Sequence, residues 1–335
     1  MSAPPWSTSP LTTEQLLWKA IMNRPKYITF GALLLVAAVG LSGCTTASLD
    51  AGKEAAAAST PGKDAVIPAA AFNQAAANLL PSNIKSKGTL VVGTDPTFAP
   101  YEFYAADSKT VVGWDADFAK ALGETLGLQV KMVPATFDTI LPGVSSNKYD
   151  VGISGFNVTA ERKMNADFAA YQNSGSGLAV KAGNPKKLAL DALKLCGTKV
   201  GGEKGTTQGI ETLPAFSKQC VDAGKEPIDI QLFPSQDEAN LALISGRVDS
   251  VLSGLVAMSY ASKLSGGAFE LASNDDFEPT AVGVAMPKGS ALTKPIVAAV
   301  KALIAGETYK AINAKYGIPD SVTIDANAVD ASAAK

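Results

Sequence analysis

Two hydrophobic rhythms alternate along the middle of the chain. Six short apolar runs read as strands: TLVVGT (89–94), LQVKMVP (128–134), YDVGIS (149–154), KVGGE (199–203), IDIQLFP (228–234) and VDSVLS (248–253). Between them lie DADFAKALGETLG (115–127), FDTILPGVSS (137–146), TTQGIETLPAFSKQC (206–220) and SQDEANLALISG (235–246), whose apolar residues recur at three- and four-residue spacing, as on one face of a helix. The stretch ALTKPIVAAVKALIAGETYKAINAKYGI (291–318) reads as two further helices followed by a polar tail. Strands alternating with helices predict an α/β architecture with mostly parallel sheets covered on both faces. Sites in such folds form beyond the carboxyl ends of the strands. The Gly- and Thr-bearing turns at 93–101, 154–160 and 203–207 occupy those ends.

The N-terminal pattern is of another kind. In RPKYITFGALLLVAAVGLSGC (24–44) two cations precede an apolar run over 28–41, too short to span a bilayer comfortably but right for the apolar region of a signal peptide. Its ending LSGC (41–44) resembles the bacterial lipobox, which implies that Cys44 is lipidated and becomes the mature N-terminus. Met22 begins a conventional signal peptide by itself, so residues 1–21 are expected to lie upstream of the true start. From Thr45 to about Pro68 the chain is Ala, Ser, Thr, Gly, Pro and Lys, a composition that cannot bury enough surface to fold. A flexible linker is expected over 44–80. Its last part, AAAFNQAAANLLP (69–81), is amphipathic and leads into the folded body near Ile84.

Composition narrows the function. A chain of 335 residues, 47% hydrophobic, can bury a core and suggests two domains or two lobes. The net charge of −2 with evenly spread Lys and Arg gives no basic face for a nucleic acid. There is no histidine, which removes Ser-His-Asp chemistry and most zinc sites; no cofactor or metal is called for. With Cys44 committed to lipid, Cys196 and Cys220 are an even pair in an exported protein, and a disulfide between them is expected, with two buried thiols as the alternative.

Six ordered segments carry a resemblance: GTLVVGTDPTFAPYEF (88–103), GWDADFAKALGETLGL (113–128), NKYDVGISGFNVTAERK (147–163), GTTQ (205–208), SGRVDSVLSG (245–254) and AGETYKAINAKYGI (305–318). Together they are similar to the solute-binding proteins of ABC importers, in the polar amino-acid family with the type 2 periplasmic-binding-protein fold. The resemblance implies two α/β lobes joined by two crossing strands, with ligand trapped in the cleft between them. Lobe 1 would comprise 84–177 with 284–320, lobe 2 would comprise 178–283, and 321–335 would be a polar tail. GLAVKAG (177–183) and AVGVAMP (281–287) are the expected crossings.

Arg162 suits a carboxylate, because a guanidinium presents a planar fork of donors that can hold both oxygens. In the family the matching arginine grips the ligand's α-carboxylate; a salt bridge to Asp167 or a neighbouring acid of lobe 1 is the alternative. Gly205, Thr206 and Thr207 precede a predicted helix, whose free N–H groups favour an anion, although Thr206 could equally serve as an ordinary helix cap. Phe98 and Tyr101 are expected to wall the cleft, Asp95 to lie near the pocket for the ligand's side chain, and Ser154, Gly155 and Asn157 to approach the ligand's amino group. One position departs from the family. Five residues after Asp249, where an aspartate normally binds the α-ammonium, stands Gly254. Glu203, at a strand end just before the 205–207 turn, is the candidate substitute; a solvated partner for Lys204 is the alternative.

The resulting expectation is a monomeric lipoprotein, not an enzyme, on the outer face of the bacterial cell membrane. It would capture a polar amino acid and deliver it to an ABC permease. A modified amino acid or other carboxylate, of opine or betaine type, is the alternative ligand, and a periplasmic dehydratase-like enzyme on the same fold is a more distant one.

Overall fold

The structure is a computed structural model that describes residues 66–329. The signal peptide, the lipidation at Cys44, the start at Met22 and the tether up to residue 65 lie outside the described residues, as do residues 330–335.

The first strand, β1 (Thr89–Thr94), continues the chain into a small three-stranded sheet of β2 (Thr97–Phe98), β3 (Glu102–Tyr104) and β4 (Val111–Val112). The strands β5 (Gln129–Pro134), β6 (Val151–Gly152), β7 (Ala166–Lys181), β8 (Lys199–Glu203), β9 (Asp229–Phe233), β10 (Ser250–Gly254), β11 (Phe269–Leu271) and β12 (Phe277–Pro287) follow. With β1 they build a nine-stranded sheet in the order β5-β1-β6-β12-β7-β10-β8-β9, with β11 also on β7. Pairing is parallel within β5-β1-β6 and within β10-β8-β9, and antiparallel wherever β7, β11 or β12 takes part.

That order defines two lobes. In each, helices cover three parallel strands, and β7 and β12 run from one lobe into the other. The crossing is longer than the sequence suggests: β7 begins at Ala166 and extends over 16 residues, rather than starting at Gly177. Small residues permit the two crossing strands to lie close. A Cβ on Gly175 would strike the carbonyl of Phe277, and one on Gly283 would come within 2.7 Å of the carbonyl of Ala169.

The helix Trp114–Leu126 shows how the apolar stripe is used in lobe 1. Its Trp114, Phe118 and Leu122 are fully buried. Trp114 stacks on Phe118 at 4.9 Å and packs against Tyr171 of β7 at 5.0 Å. The indole N–H, which burial would otherwise leave unpaired, donates to Asn313 Oδ1 at 2.7 Å and ties in the helix Glu307–Tyr316. In lobe 2, Cys196 and Cys220 form the expected disulfide, joining the segment before β8 to the helix Leu213–Asp222.

Two segments are more ordered than their composition implies. Residues 67–80, grouped above with the flexible linker, pack on lobe 1: Ala76, Ala77 and Leu80 are buried, and Asn73 N donates to Thr125 O at 2.9 Å. Alanine's small side chain allows that close approach, a property its weak hydrophobicity hides. The tail after Ile318 likewise returns to lobe 1, burying Val322 and Val329 and bridging Gln172 through Thr323.

Candidate functional site

The carboxyl ends of β1, β6, β8 and β10 converge between the lobes. They surround a cavity whose walls include Phe98, Ser154 and Asn157 from lobe 1 and Glu203, Thr206 and Gly254 from lobe 2. Among the described residues, polar contacts join the two lobes across the cleft. Arg162 Nη2 donates to Gly205 O at 3.0 Å, and Thr207 Oγ1 donates to Asn157 Oδ1 at 3.1 Å. Lys204 Nζ pairs with Asp138 at 2.8 Å, and Gln236 N donates to Thr97 Oγ1 at 3.3 Å. The lobes are therefore apposed, with the cavity lined by groups from both.

Behind the lobe 1 wall stand two fully buried carboxyls, Glu102 and Asp115. Ser154 Oγ donates to Glu102 Oε1 at 2.6 Å and accepts from Asp95 N at 3.0 Å, while Gly155 N and Tyr171 OH donate to Asp115 Oδ2. Glu102 Oε2 and Asp115 Oδ1 have no hydrogen-bond partner among the described residues, and each acid acts on the other's ionisation. Burial pushes Glu102 well above the usual carboxylate range, with the Asp115 charge adding to it. Burial also raises Asp115, to about 6, against the hydrogen bonds from Glu102, Gly155 and Tyr171. This pair fixes Ser154 and Gly155, whose outer faces line the cavity.

Arg162 is buried on the short helix Ala160–Asn165, which Thr159 caps by accepting from Arg162 N at 3.2 Å. Its guanidinium lies near the rings of Phe137 and Phe156, 5.5 and 5.6 Å from their centroids. Nη1 donates to Asn157 O at 2.9 Å and Nη2 to Gly205 O, so both partners are neutral carbonyls. No salt bridge to Asp167 forms; that acid pairs with Lys288 and accepts from Gly289 N and Thr293. Burial lowers the Arg162 pKa to about 10, with the Glu211 and Glu161 charges opposing the shift, so it stays cationic at neutral pH. The guanidinium lines an adjoining surface cavity with Glu161 and Glu211 rather than the central one.

The other expected site residues divide. Phe98 and Tyr101 stack at 5.7 Å and both line the cavity, as do Ser154, Gly155, Asn157, Glu203 and Thr206. Asp95 does not: its carboxylate accepts from Thr97 Oγ1 and Phe137 N, fastening the loop after β1 to the helix after β5. Thr206 does cap the helix, accepting from Gly209 N at 3.2 Å while donating to Glu203 O at 2.7 Å. Gly205 and Thr207 act through the cross-cleft bonds and lie outside the cavity wall. Glu203 is not a solvated partner for Lys204: it is buried, and Lys204 bonds Asp138 instead.

Several wall residues were not singled out from the sequence. Ser174 and Gly175 lie at the middle of β7, Gln208 bonds Ser176 Oγ at 2.9 Å, and Phe137 begins the helix after β5. Gln208 ends the GTTQ segment and was within reach of that motif. The contribution of β7 depends on where the strand crosses, which no local pattern marks.

Two lobes, two crossing strands and a cavity with walls from both define a cleft-type solute-binding protein. The model of the bacterial extracellular solute-binding proteins, family 3, matches residues 90–319, and the chain belongs to that family. It is 30% identical over 248 residues to the arginine-binding protein ArgT of Corynebacterium glutamicum, covering 74% of this chain and 80% of the relative. The L-cystine-binding protein TcyJ of Escherichia coli K12 is 27% identical over 238 residues, 70% of this chain and 85% of its own length. Among solved structures, an ancestral arginine-binding protein bound to arginine aligns with a TM-score of 0.62 at 34% identity, covering 68% of this chain and 98% of that one.

Proposed function

We propose that the chain captures a polar amino acid by closure of its two lobes and delivers it to the permease of an ABC importer. The observation that carries this reading is the cavity itself, lined by groups of both lobes, with the Arg162–Gly205 bond crossing the cleft beside it. The membership in an extracellular solute-binding family supports it, and relatives that bear the names of arginine- and cystine-binding proteins support an amino-acid ligand rather than an enzymatic role.

Arg162 takes the ligand's carboxylate. Its Nη2 donates to a neutral carbonyl; a carboxylate in that place adds a full opposite charge and can accept from both arms of the guanidinium fork. Thr206, Thr207 and Asn157 border the same junction, so one carboxylate there touches both lobes at once. Such differential contact is what shifts an open–closed equilibrium toward closure. Lipid on Cys44, joined by the chain up to about residue 66, would tether a monomer to the outer face of the cell membrane.

Thermal unfolding of the purified chain with single amino acids, opines and betaines tests the reading, because a ligand of the folded state raises the melting temperature by mass action. A rise with at least one amino acid is expected. If no carboxylate-bearing compound stabilises the protein, the capture reading fails. Mass spectrometry of the membrane-extracted protein tests the anchor, with a lipid-modified Cys44 as the N-terminal residue expected.

A further inference from the structure

One wall of the cavity carries a group that the carboxylate grip leaves unused. Glu203 closes β8, is 3% exposed, and faces the cavity. Its Oε1 is buried with no hydrogen-bond partner among the described residues. The charges acting on it are the acids Asp95, Asp237 and Asp138, and of these Asp138 already holds Lys204. Burial, with those acids, pushes the Glu203 carboxyl well above its ordinary range. The position is also telling. β8 and β10 are parallel neighbours paired Val200 to Ser250 and Gly201 to Val251, so the end of β8 stands beside the end of β10, where Gly254 provides no side chain.

We propose that Glu203 seats an N–H-bearing cationic group of the ligand, an ammonium or guanidinium, and thereby selects amino acids and guanidino acids over carboxylates without such a group. This rests on the capture reading above. A buried carboxyl with an unpaired oxygen gains a partner from an N–H donor, and a surround of acids favours a cation, beside which the carboxyl ionises. A protonated nitrogen meets both needs. A quaternary ammonium supplies charge but no donor, leaves Oε1 unpaired, and is the poorer ligand.

The test is calorimetric titration of the purified chain and of Glu203→Gln with L-arginine, L-glutamine, 4-guanidinobutyrate and glycine betaine. At least one of the first three is expected to bind, more tightly than betaine, and to lose about 10- to 100-fold in affinity in Glu203→Gln, as for a lost charge-assisted bond. Loss for glutamine assigns the α-ammonium to Glu203; loss confined to arginine and 4-guanidinobutyrate assigns the distal cation. Glu203→Asp, which keeps the charge on a shorter arm, should retain more affinity than the isosteric Gln variant; the reverse order marks a packing effect and overturns the proposal. Wild-type affinity in Glu203→Gln, or betaine bound as tightly as the others, also overturns it while amino-acid capture stands. If neither the probes nor any other amino acid binds the wild type, capture fails and this proposal with it.

Discussion

A Cβ built on Gly254 stands 3.0 Å from Cζ of Phe98, across the cleft from one lobe to the other. Phe98 thus fills the space that a side chain at 254 would use. Gly254→Asp, which restores the acid usual in the family, should therefore not improve amino-acid binding by itself. Overpacking of this kind costs about 1–3 kcal/mol, and we expect a lower melting temperature together with weaker closure. Adding Phe98→Ala should relieve the contact. Titration with a plain α-amino acid would then show tighter binding by the double variant than by Gly254→Asp; equal binding would mean that Phe98 is not the obstacle.

Arg162 joins both lobes through neutral carbonyls, which sets its expected role in binding. Arg162→Ala removes a charge-assisted partner worth about 1.5–3 kcal/mol. Ligand affinity should fall by about 10- to 150-fold in calorimetry. The far-ultraviolet circular dichroism should be unchanged, because Arg162 forms no salt bridge among the described residues.

The disulfide closes a loop with a sequence separation of 24. Loop entropy of that size stabilises by about 3 kcal/mol. Cys196→Ser with Cys220→Ser, or reduction by dithiothreitol, should lower the unfolding free energy by roughly that amount in urea titration. Ligand affinity should change little, since neither cysteine lines the cavity.

The buried acid pair predicts a pH dependence. Asp115 rises from an ordinary 3.8 to about 6 in the folded protein, so between those values the folded state holds more protons than the unfolded one. The stability associated with this proton is fully present below about pH 4 and is lost as pH climbs through about 6. Asp115→Asn keeps an acceptor for Gly155 N while removing the titration. Chemical denaturation at several pH values should show a shallower decline between pH 4 and 6 in that variant than in the wild type.

The elements were legible where burial follows a local rhythm. KVGGE and TLVVGT form strands over the residues read from the pattern, and FDTILPGVSS forms a helix ending one residue earlier. The helix Leu255–Leu264 was not read, since its apolar residues crowd without a clean stripe. The start of β7 was misplaced because Ala166 to Ser176 is rich in small and polar residues, and only pairing with β12 makes it a strand.

By itself the sequence determined the two-lobed α/β plan, the disulfide pair and the family, because periodicity, cysteine parity and ordered motifs are properties of residues near in the chain. It also singled out Arg162, Glu203 and Gly254 as candidates. Only the tertiary structure decided what each of them meets. Asp95 is drawn into fastening a loop, Phe98 occupies the space before Gly254, Arg162 reaches across to a carbonyl of the other lobe, and Glu203 is left buried with an unpaired oxygen. Those outcomes depend on which strand ends face one another across the cleft. That juxtaposition brings together residues far apart in the chain, and no local pattern encodes it.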